Sequence, residues 1–212
     1  NNNIIIISEK SNNTLYMFAK KYDLLHIEHR KYIGGRYSVL SEIGMLPAYL
    51  MGLNIKEFRK NLLNYLESNQ RKILIKNSMN IANLLERKKI NNIIFLNYFS
   101  KMEKSLLWLQ QLIAESLGKK GKGFMPSISN MPKDNHSLLQ LYLDGPRDKI
   151  FYVFSEITKK NKKINNIHLP KKMSFLRGKT IPKIKKAQKD ALINIFKTKG
   201  IPFREIKIKD LN

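Results

Sequence analysis

Cysteine is absent from the 212-residue chain, which excludes disulfide bonds and thiolate chemistry and gives no reason to expect an oxidising compartment. Long hydrophobic runs are also absent, because the apolar stretch 4–7 is too short for a signal peptide or a membrane span. We therefore expect a soluble, cytoplasmic protein without a membrane partner. With 42% hydrophobic residues, the chain can form a sizeable core, in one domain or in a large part of a two-domain protein.

Acidic residues are few: 16 Asp and Glu stand against 40 Lys and Arg, a formal net charge of +24. Such an excess ordinarily indicates binding to nucleic acid or to an anionic membrane. Here the basic residues are spread out, with modest clusters at Lys159–Lys163 and Lys183–Lys189, and Lys, Asn and Ile are abundant together, as in chains encoded by AT-rich DNA. We interpret most of the charge as a solvated face that attracts small anions, and we expect no nucleic-acid partner.

Strand and helix patterns alternate along the whole chain, which predicts an α/β fold, specifically a three-layer αβα sandwich with a mainly parallel sheet. Residues 161–178 are predicted to form an irregular basic connection with a short strand near Asn166–Leu169. The predicted strands are Ile4–Ile7, Leu24–Ile27, Asn92–Tyr98, Lys149–Glu156, Phe203–Ile208 and a short edge strand that contains Pro126. The predicted helices are Thr14–Tyr22, Ser38–Met51, Lys56–Leu66, Gln70–Lys88, Lys101–Leu117, a helix that begins at 132–135, and Thr180–Lys199.

Polar residues with catalytic potential lie in the stretch from Trp108 to Leu143. Gln111 and Glu115 are four residues apart on one side of the Lys101–Leu117 helix, near its C-terminal end. A carboxylate there is at the unfavourable end of the helix dipole, a setting suited to a general base. The opposite, apolar face of this helix is predicted to comprise Leu106, Leu107, Leu112, Ile113 and Leu117. Trp108 is expected to pack in the core rather than to stack on a sugar.

A histidine follows at the start of the next helix. Gly118, Gly121 and Gly123 end the first helix, and Asp134 or Asn135 is able to cap the second, with His136 in its first turn and Gln140 one turn later. Taken alone, such a histidine is more often hydrogen-bonded to the backbone than functional. We expect His26, His29 and His168 to be structural or solvated.

A Gly-Gly-Arg triplet lies in the stretch YIGGRYSVLSEIGMLPAYL, residues 32–50. Two glycines allow the backbone to approach a ligand closely, Arg36 presents a guanidinium beside it, and Ser38 is predicted to cap the following helix. By itself this triplet is weak evidence for a site, because glycine pairs are common in turns.

Together, GGRYSVLSEIGMLP, QQLIAESLGK and PKDNHSLLQLYLDGP, in this order and at this separation, resemble the glucose-6-phosphate isomerase (phosphoglucose isomerase) family. The resemblance extends over nearly the whole chain. It implies an aldose–ketose isomerase of glycolysis and gluconeogenesis that converts glucose 6-phosphate reversibly to fructose 6-phosphate. The sugar ring opens and a proton moves between C1 and C2 through a cis-enediolate, with no metal or organic cofactor.

The resemblance also implies a role for each matching residue. Glu115 matches the base that carries the proton, Arg36 the arginine that stabilises the enediolate, and His136 the histidine that assists ring opening. In this family the histidine reaches the site from the neighbouring subunit, which implies a homodimer with a shared active site. Gln111 and the backbone of Gly35 match positions that contact the sugar.

The resemblance implies two sugar isomerase domains: 1–30 would be the end of the first, and 31–212 the second with connecting helices, truncated before its C-terminal helix. Asn12–Thr14 does not match the phosphate loop of the family, since it lacks the necessary glycine and lies too close to GGRYS. We expect that loop upstream of Asn1 and the family's catalytic lysine beyond Asn212, so the 212 residues alone should be inactive. Alternatives are a non-catalytic sugar-phosphate-sensing or nucleic-acid-binding domain, and an isomerase that also accepts mannose 6-phosphate.

Overall fold

Strands and helices alternate along the chain, as the sequence predicts. A computed structural model describes residues 3–67, 69–88, 90–157, 163–164 and 170–209, without the side chains of residues 85 and 88. The predicted strand near 166–169, His168 and most of the cluster 159–163 lie outside the described residues. The strands are β1 (Ile5–Ser8), β2 (Leu25–Glu28), β3 (Asn92–Asn97), β4 (Met125–Asn130), β5 (Lys149–Glu156) and β6 (Phe203–Ile208).

The helices follow the predicted order, with two corrections. The predicted helix 38–51 is a 3-10 helix over Gly35–Leu40 followed by a separate α-helix, and the predicted helix 56–66 is two short helices. Further 3-10 helices span Ser100–Met102 and Lys171–Leu176. The α-helices are α1 (Thr14–Lys21), α2 (Glu42–Leu50), α3 (Ile55–Arg59), α4 (Leu62–Glu67), α5 (Asn69–Lys88), α6 (Glu103–Leu117), α7 (Asn135–Asp144) and α8 (Ile181–Thr198).

Four parallel strands form the main sheet, in the order β4-β3-β5-β6. Asn92 of β3 is in register with Met125 of β4 on one side and with Lys149 of β5 on the other, so β3 is a central strand. Pro126 lies in β4 at the edge of the sheet. Its missing N–H therefore does not interrupt the hydrogen bonds between central strands. The predicted edge position of this strand is confirmed.

Helices cover both faces of this sheet, because alternate side chains of each strand point to opposite sides. Ile94 and Leu96 of β3 belong to a buried cluster with Phe196 of α8 and Tyr142 of α7. The neighbouring β3 residues, such as Phe95, belong to a second cluster that includes Leu106 of α6, with Ile81 and Leu84 of α5 packed against it. The predicted three-layer α/β arrangement with a parallel sheet is confirmed here.

The chain divides into two compact units, Asn1–Asn80 and Ile81–Asn212, and the four-stranded sheet belongs to the second. In the first unit, β1 and β2 form a parallel pair, with Ile5 opposite Leu25. Among the described residues of this unit, the buried core cluster comprises three side chains: Ile6, Ala19 and Leu24. The sequence pattern of α1 predicts that Leu15, Phe18 and Ala19 point inward, which is wrong for two of them: Ala19 is buried, but Leu15 is 55% exposed and Phe18 46%.

Candidate active site

Gln111 and Glu115 lie on the exposed side of α6, and their side chains contact each other. The Gln111 Nε2 amide donates a hydrogen bond to Glu115 Oε1 at 2.9 Å. On the opposite side of the helix, Leu106 is fully buried and Ile113 packs against the same cluster. The prediction that the carboxamide and the carboxylate share one side is confirmed, and this contact fixes the orientation of a carboxylate that faces solvent.

The apolar face of α6 is narrower than the sequence predicts. Leu107 and Leu117 are exposed, and Trp108 retains 36% of its accessible surface, so the prediction that Trp108 packs in the core is wrong. The pattern of leucines is broader than the strip of helix surface that contacts the sheet.

The loop after α6 depends on glycine. Gly123 has φ +135°, and a Cβ atom on it would lie 2.9 Å from the Gly118 Cα atom. Both the backbone conformation and the close approach therefore exclude a side chain at this position. The turn returns the chain to the beginning of β4. Because α6 joins the end of β3 to the beginning of β4, its C-terminal turn, with Glu115, lies at the amino edge of the sheet.

His136 lies in the first turn of α7, as predicted, with its side chain exposed. The predicted capping is wrong, because Asp134 occupies the N-cap position without a capping hydrogen bond. Its Oδ2 atom instead accepts hydrogen bonds from the Asn130 backbone N–H at 2.7 Å and from Ser129 Oγ at 3.2 Å. Asp134 thereby fixes the turn between β4 and α7 rather than the helix end.

Tyr98 directly follows β3 and lies near the same turn. The tyrosine is 5% exposed, and burial raises its pKa to about 12, an effect that the Asn135 side chain partly offsets. The phenol is therefore neutral at physiological pH, and it packs beside the residue that precedes His136.

Glu115 and His136 lie at opposite edges of one sheet. The helix α7 begins where β4 ends, so His136 is at the carboxyl edge, whereas Glu115 is at the amino edge. Six residues of strand separate the two edges, about 20 Å at the usual rise per residue. The structure therefore does not bring these two predicted site residues together within one chain.

Gly35 and Arg36 belong to the first unit, at the beginning of the 3-10 helix Gly35–Leu40. No described residue lies within 4 Å of the position that a Gly35 Cβ atom would occupy, so a ligand can approach the backbone from this side. The Arg36 guanidinium lies 4.9 Å from the centre of the Tyr37 ring, within range of a cation–π contact. The guanidinium is partly exposed, as a group that binds a charged ligand requires.

Ser38 does not cap the following helix, contrary to the prediction. Its buried hydroxyl donates a hydrogen bond to the Gly35 carbonyl oxygen at 2.6 Å, and Ser41 is the N-cap residue of α2. The chain makes a 3-10 turn before the α-helix, so the N-cap position falls at Ser41, three residues later. Ser38 thereby stabilises the turn that presents Gly35.

His29 and Glu42 are a pair that the sequence analysis did not identify as part of this region. His29 Nδ1 contacts Glu42 Oε1, and its Nε2 lies 3.0 Å from the Ile33 carbonyl oxygen. Since both partners are acceptors, the ring is best satisfied as an imidazolium that donates from both nitrogens. The hydrogen bond with Glu42 is the largest cause that raises the His29 pKa. The pair joins the two ends of the segment that contains Gly35 and Arg36.

In the described part of the chain, no helix combines the length and the apolar character that crossing a membrane requires.

Comparison with known proteins finds similar sequences over nearly the whole chain. No family model matches it. It is 27% identical to glucose-6-phosphate isomerase of Rubrobacter xylanophilus over 98% of the chain and 50% of that protein. It is 30% identical to the enzyme of that name from Methanocaldococcus jannaschii over 90% of the chain and 48% of that protein, and 32% identical to that of Staphylococcus saprophyticus over 72% and 36%.

A crystal structure of a hypothetical protein from Thermus thermophilus has the same fold. The TM-score is 0.80 at 24% sequence identity, over 96% of this chain and 51% of that one. The chain thus spans about half the length of the curated relatives and of the solved structure that it matches.

Proposed function

Since the chain belongs to the glucose-6-phosphate isomerase family, we propose that it supplies part of an active site that interconverts glucose 6-phosphate and fructose 6-phosphate. The observation that carries this proposal is the Gln111–Glu115 pair: an oriented, solvent-facing carboxylate on a rigid helix, within the stretch that resembles the family. We assign the protein to glycolysis and gluconeogenesis in the cytoplasm.

Glu115 acts in this proposal as the base that moves the proton between C1 and C2. Proton abstraction next to a carbonyl needs a carboxylate held at a fixed angle to the C–H bond. The Gln111 amide, which donates to Glu115 Oε1, supplies that orientation. In this proposal, the same side chain also contacts the sugar. No metal or organic cofactor takes part.

Arg36 and Gly35 stabilise the intermediate and bind the sugar. The enediolate carries a negative charge, and a guanidinium beside it lowers the free energy of the transition state. Gly35 contributes its backbone on the side where a Cβ atom would lie, which no described residue approaches within 4 Å. The segment that carries both residues is held at its ends by His29 and Glu42.

His136 assists ring opening from the neighbouring subunit of a homodimer. The support for this shared site is the separation of about 20 Å along the sheet between the amino edge, with Glu115, and the carboxyl edge, with His136. Side chains of a single chain do not span that distance. In the proposed homodimer, the carboxyl edge of one subunit therefore faces the amino edge of its partner.

Residues 1–30 are proposed as the end of a first sugar isomerase domain and 31–212 as a second one with connecting helices. The phosphate-binding loop and the catalytic lysine of the family match no residues of this chain.

Isomerisation by the intact protein, measured by a coupled assay with glucose 6-phosphate, tests the function. We expect Glu115→Gln to lower kcat by ~10²–10⁴-fold, the usual contribution of general acid–base catalysis. Glu103→Gln is the matched control, because Glu103 is an exposed glutamate in the first turn of the same helix. Absence of activity in the folded wild-type protein, or equal losses in both variants, would contradict the proposal.

Mixing two inactive variants tests the shared site. A dimer of one Glu115→Gln subunit and one His136→Asn subunit has one site with both defects and one site with neither. Random mixing should therefore restore about a quarter of wild-type activity, since half of the dimers are mixed and half of their sites are intact. If both residues act within one chain, mixing restores nothing.

A further inference from the structure

A crevice of about 740 Å³ opens at the carboxyl edge of the main sheet, between β3 and β5. Its walls include Tyr98 and Phe99, which follow β3, and Ser155 and Glu156 at the end of β5. The chain leaves β3 toward β4 on one side and leaves β5 toward β6 on the other, so the crevice lies where the direction of the connections reverses. In open parallel sheets, ligands bind at this reversal point.

The lining of this crevice is strongly basic. Five of the 14 described residues that line it are lysine, a share about twice that of Lys and Arg together in the whole chain. Two of the same 14 residues, Glu156 and Asp190, are acidic, which leaves a formal charge of +3 on the described lining. A cleft of one sign concentrates ligands of the opposite sign. The lining lysines are Lys101, Lys185, Lys186, Lys189 and Lys207.

Three of these lysines already have carboxylate partners. Lys186 and Lys189 contact Asp190 at 2.5 and 3.0 Å, and Lys207 lies 3.3 Å from Glu205. Lys189 also contacts Glu205 and is only 4% exposed, as expected of a buried cation that is fully paired. These pairs give the wall a fixed structure.

The other two lysines are available to bind a ligand. Lys101 and Lys185 form no ion pair with any residue that the structure describes. Lys101 follows β3 and Lys185 is in the second turn of α8, so the two charges approach the crevice from different elements. An ammonium group binds a phosphate as a point charge, so two lysines from different elements that line one crevice can hold a phosphate together.

The beginning of α8 adds to this electrostatic field. Ile181 and Pro182, the first two residues of this 18-residue helix, line the crevice, and its first turn contains no acidic residue. The positive end of the helix dipole therefore faces the same space as the lysines. Apolar contacts are available beside it from Phe99, Ile157 and Ile181.

We propose that this lysine crevice binds a phosphorylated small molecule, with its phosphate held by Lys101, Lys185 and the N-terminus of α8, and its remainder against the apolar wall. The volume suits a ligand of the size of a nucleotide or a sugar phosphate. Within one chain, about 20 Å of strand separates the crevice at the carboxyl edge from Glu115 at the amino edge, so its lysines do not line the site around that chain's own Glu115. The inference does not depend on the isomerase activity.

Lysine footprinting on the intact protein tests the proposal without a substitution. The rate of acetylation of each lysine is measured by mass spectrometry with and without inorganic pyrophosphate. We expect acetylation of Lys101 and Lys185 to slow at least fivefold at saturation. Lys197 is the internal control, because it is an exposed lysine in the last turn of the same helix, at the other edge of the sheet. Equal rates for all three lysines, or uniform slowing, would overturn the proposal.

Variants then identify the ligand class by calorimetry. Lys101→Gln with Lys185→Gln should weaken pyrophosphate binding at this site at least tenfold, whereas Lys197→Gln should leave it unchanged. Protection of Lys101 and Lys185 by adenosine 5′-diphosphate, but not by fructose 6-phosphate, identifies a nucleotide; the reverse identifies a sugar phosphate. Unchanged pyrophosphate affinity in the double variant would reject the proposed site. The isomerase activity of the same variants is measured separately, so a loss of pyrophosphate binding is not confused with a loss of catalysis at Glu115.

Discussion

The two units of the chain bury their strands to very different degrees. In the second unit, four parallel strands are covered on both faces, and Phe95, Leu96 and Val153 are almost inaccessible to solvent. In the first unit, two strands share a buried cluster of three side chains, while large apolar residues such as Leu25, Tyr49 and Met51 are exposed. A two-stranded sheet is at best marginally stable by itself. The comparison indicates that the second unit carries the stability of this chain, whereas the first presents apolar surface for further contacts.

The largest expected effect comes from removing an aromatic ring from the core of the second unit. Phe196 is fully buried and packs on Phe151 and Phe203, at 4.7 and 5.9 Å between ring centres. Phe196→Ala should lower the free energy of unfolding by about 3–5 kcal/mol. Phe18→Ala in the first unit, where the ring is 46% exposed, is the control and should cost about 1 kcal/mol or less. Denaturant unfolding followed by circular dichroism measures both, and equal losses would invalidate the comparison.

A smaller effect is expected from a buried polar side chain of the same sheet. Asn97 is 3% exposed; its Oδ1 accepts from the Phe99 N–H at 3.1 Å and its Nδ2 donates to Asn130 Oδ1 at 3.2 Å. Asn97→Ala should cost about 1–3 kcal/mol, because the Phe99 N–H is left without its partner. Asn194→Ala, at an exposed position of α8, should change stability by less than about 0.5 kcal/mol. A neutral Asn97→Ala variant would show that this link does not stabilise the sheet.

The smallest effect concerns the first unit and depends on pH. The Glu42 hydrogen bond raises the pKa of His29, so protonated His29 stabilises the folded segment. This stabilisation is complete below pH 6.5 and is lost as pH rises through the folded-state pKa. The pKa of Glu42 is lowered, first by its own backbone N–H and also by His29, so its contribution is lost as pH falls below about 4.5. Between these limits, the segment 29–42 should be most protected.

Hydrogen exchange reports this pH dependence directly. Protection factors of amides 29–42 should fall between pH 6 and pH 9, while those of β3 and β5 stay constant. Glu42→Gln should remove the difference between the two pH values. If that variant keeps the full pH dependence, the His29–Glu42 pair is not its origin.

The regular part of the fold was predictable because hydrophobic periodicity is a local signal. The bounds of β5 and β6 agree with the predicted ones, and α8 agrees within one residue at each end. The i, i+4 relation of Gln111 and Glu115 is equally local, and the contact is present.

The remaining features depend on contacts that sequence spacing does not encode. His29 and Glu42 are 13 residues apart with no periodic relation, and their pairing requires the 3-10 turn that the sequence did not reveal. The exposure of Leu107 and Trp108 depends on how wide a strip of α6 the sheet covers. The lysine crevice combines residues after β3 with residues of α8, so only the strand order brings them together.

The strand order also has a consequence for the growing polypeptide. The first strand of the main sheet to be synthesised, β3, is a central one, and its neighbours β4 and β5 emerge from the ribosome later, the second of them more than 50 residues afterwards. Until β5 emerges, Ile93–Leu96 lacks at least one hydrogen-bonding neighbour, and Phe196, which completes one face, follows later still. An apolar, β-prone segment of this kind is where nascent chains associate wrongly. The second unit therefore folds late in translation. The rate of elongation through residues 98–196 sets how long β3, its most aggregation-prone strand, remains without its neighbouring strands and its covering helix.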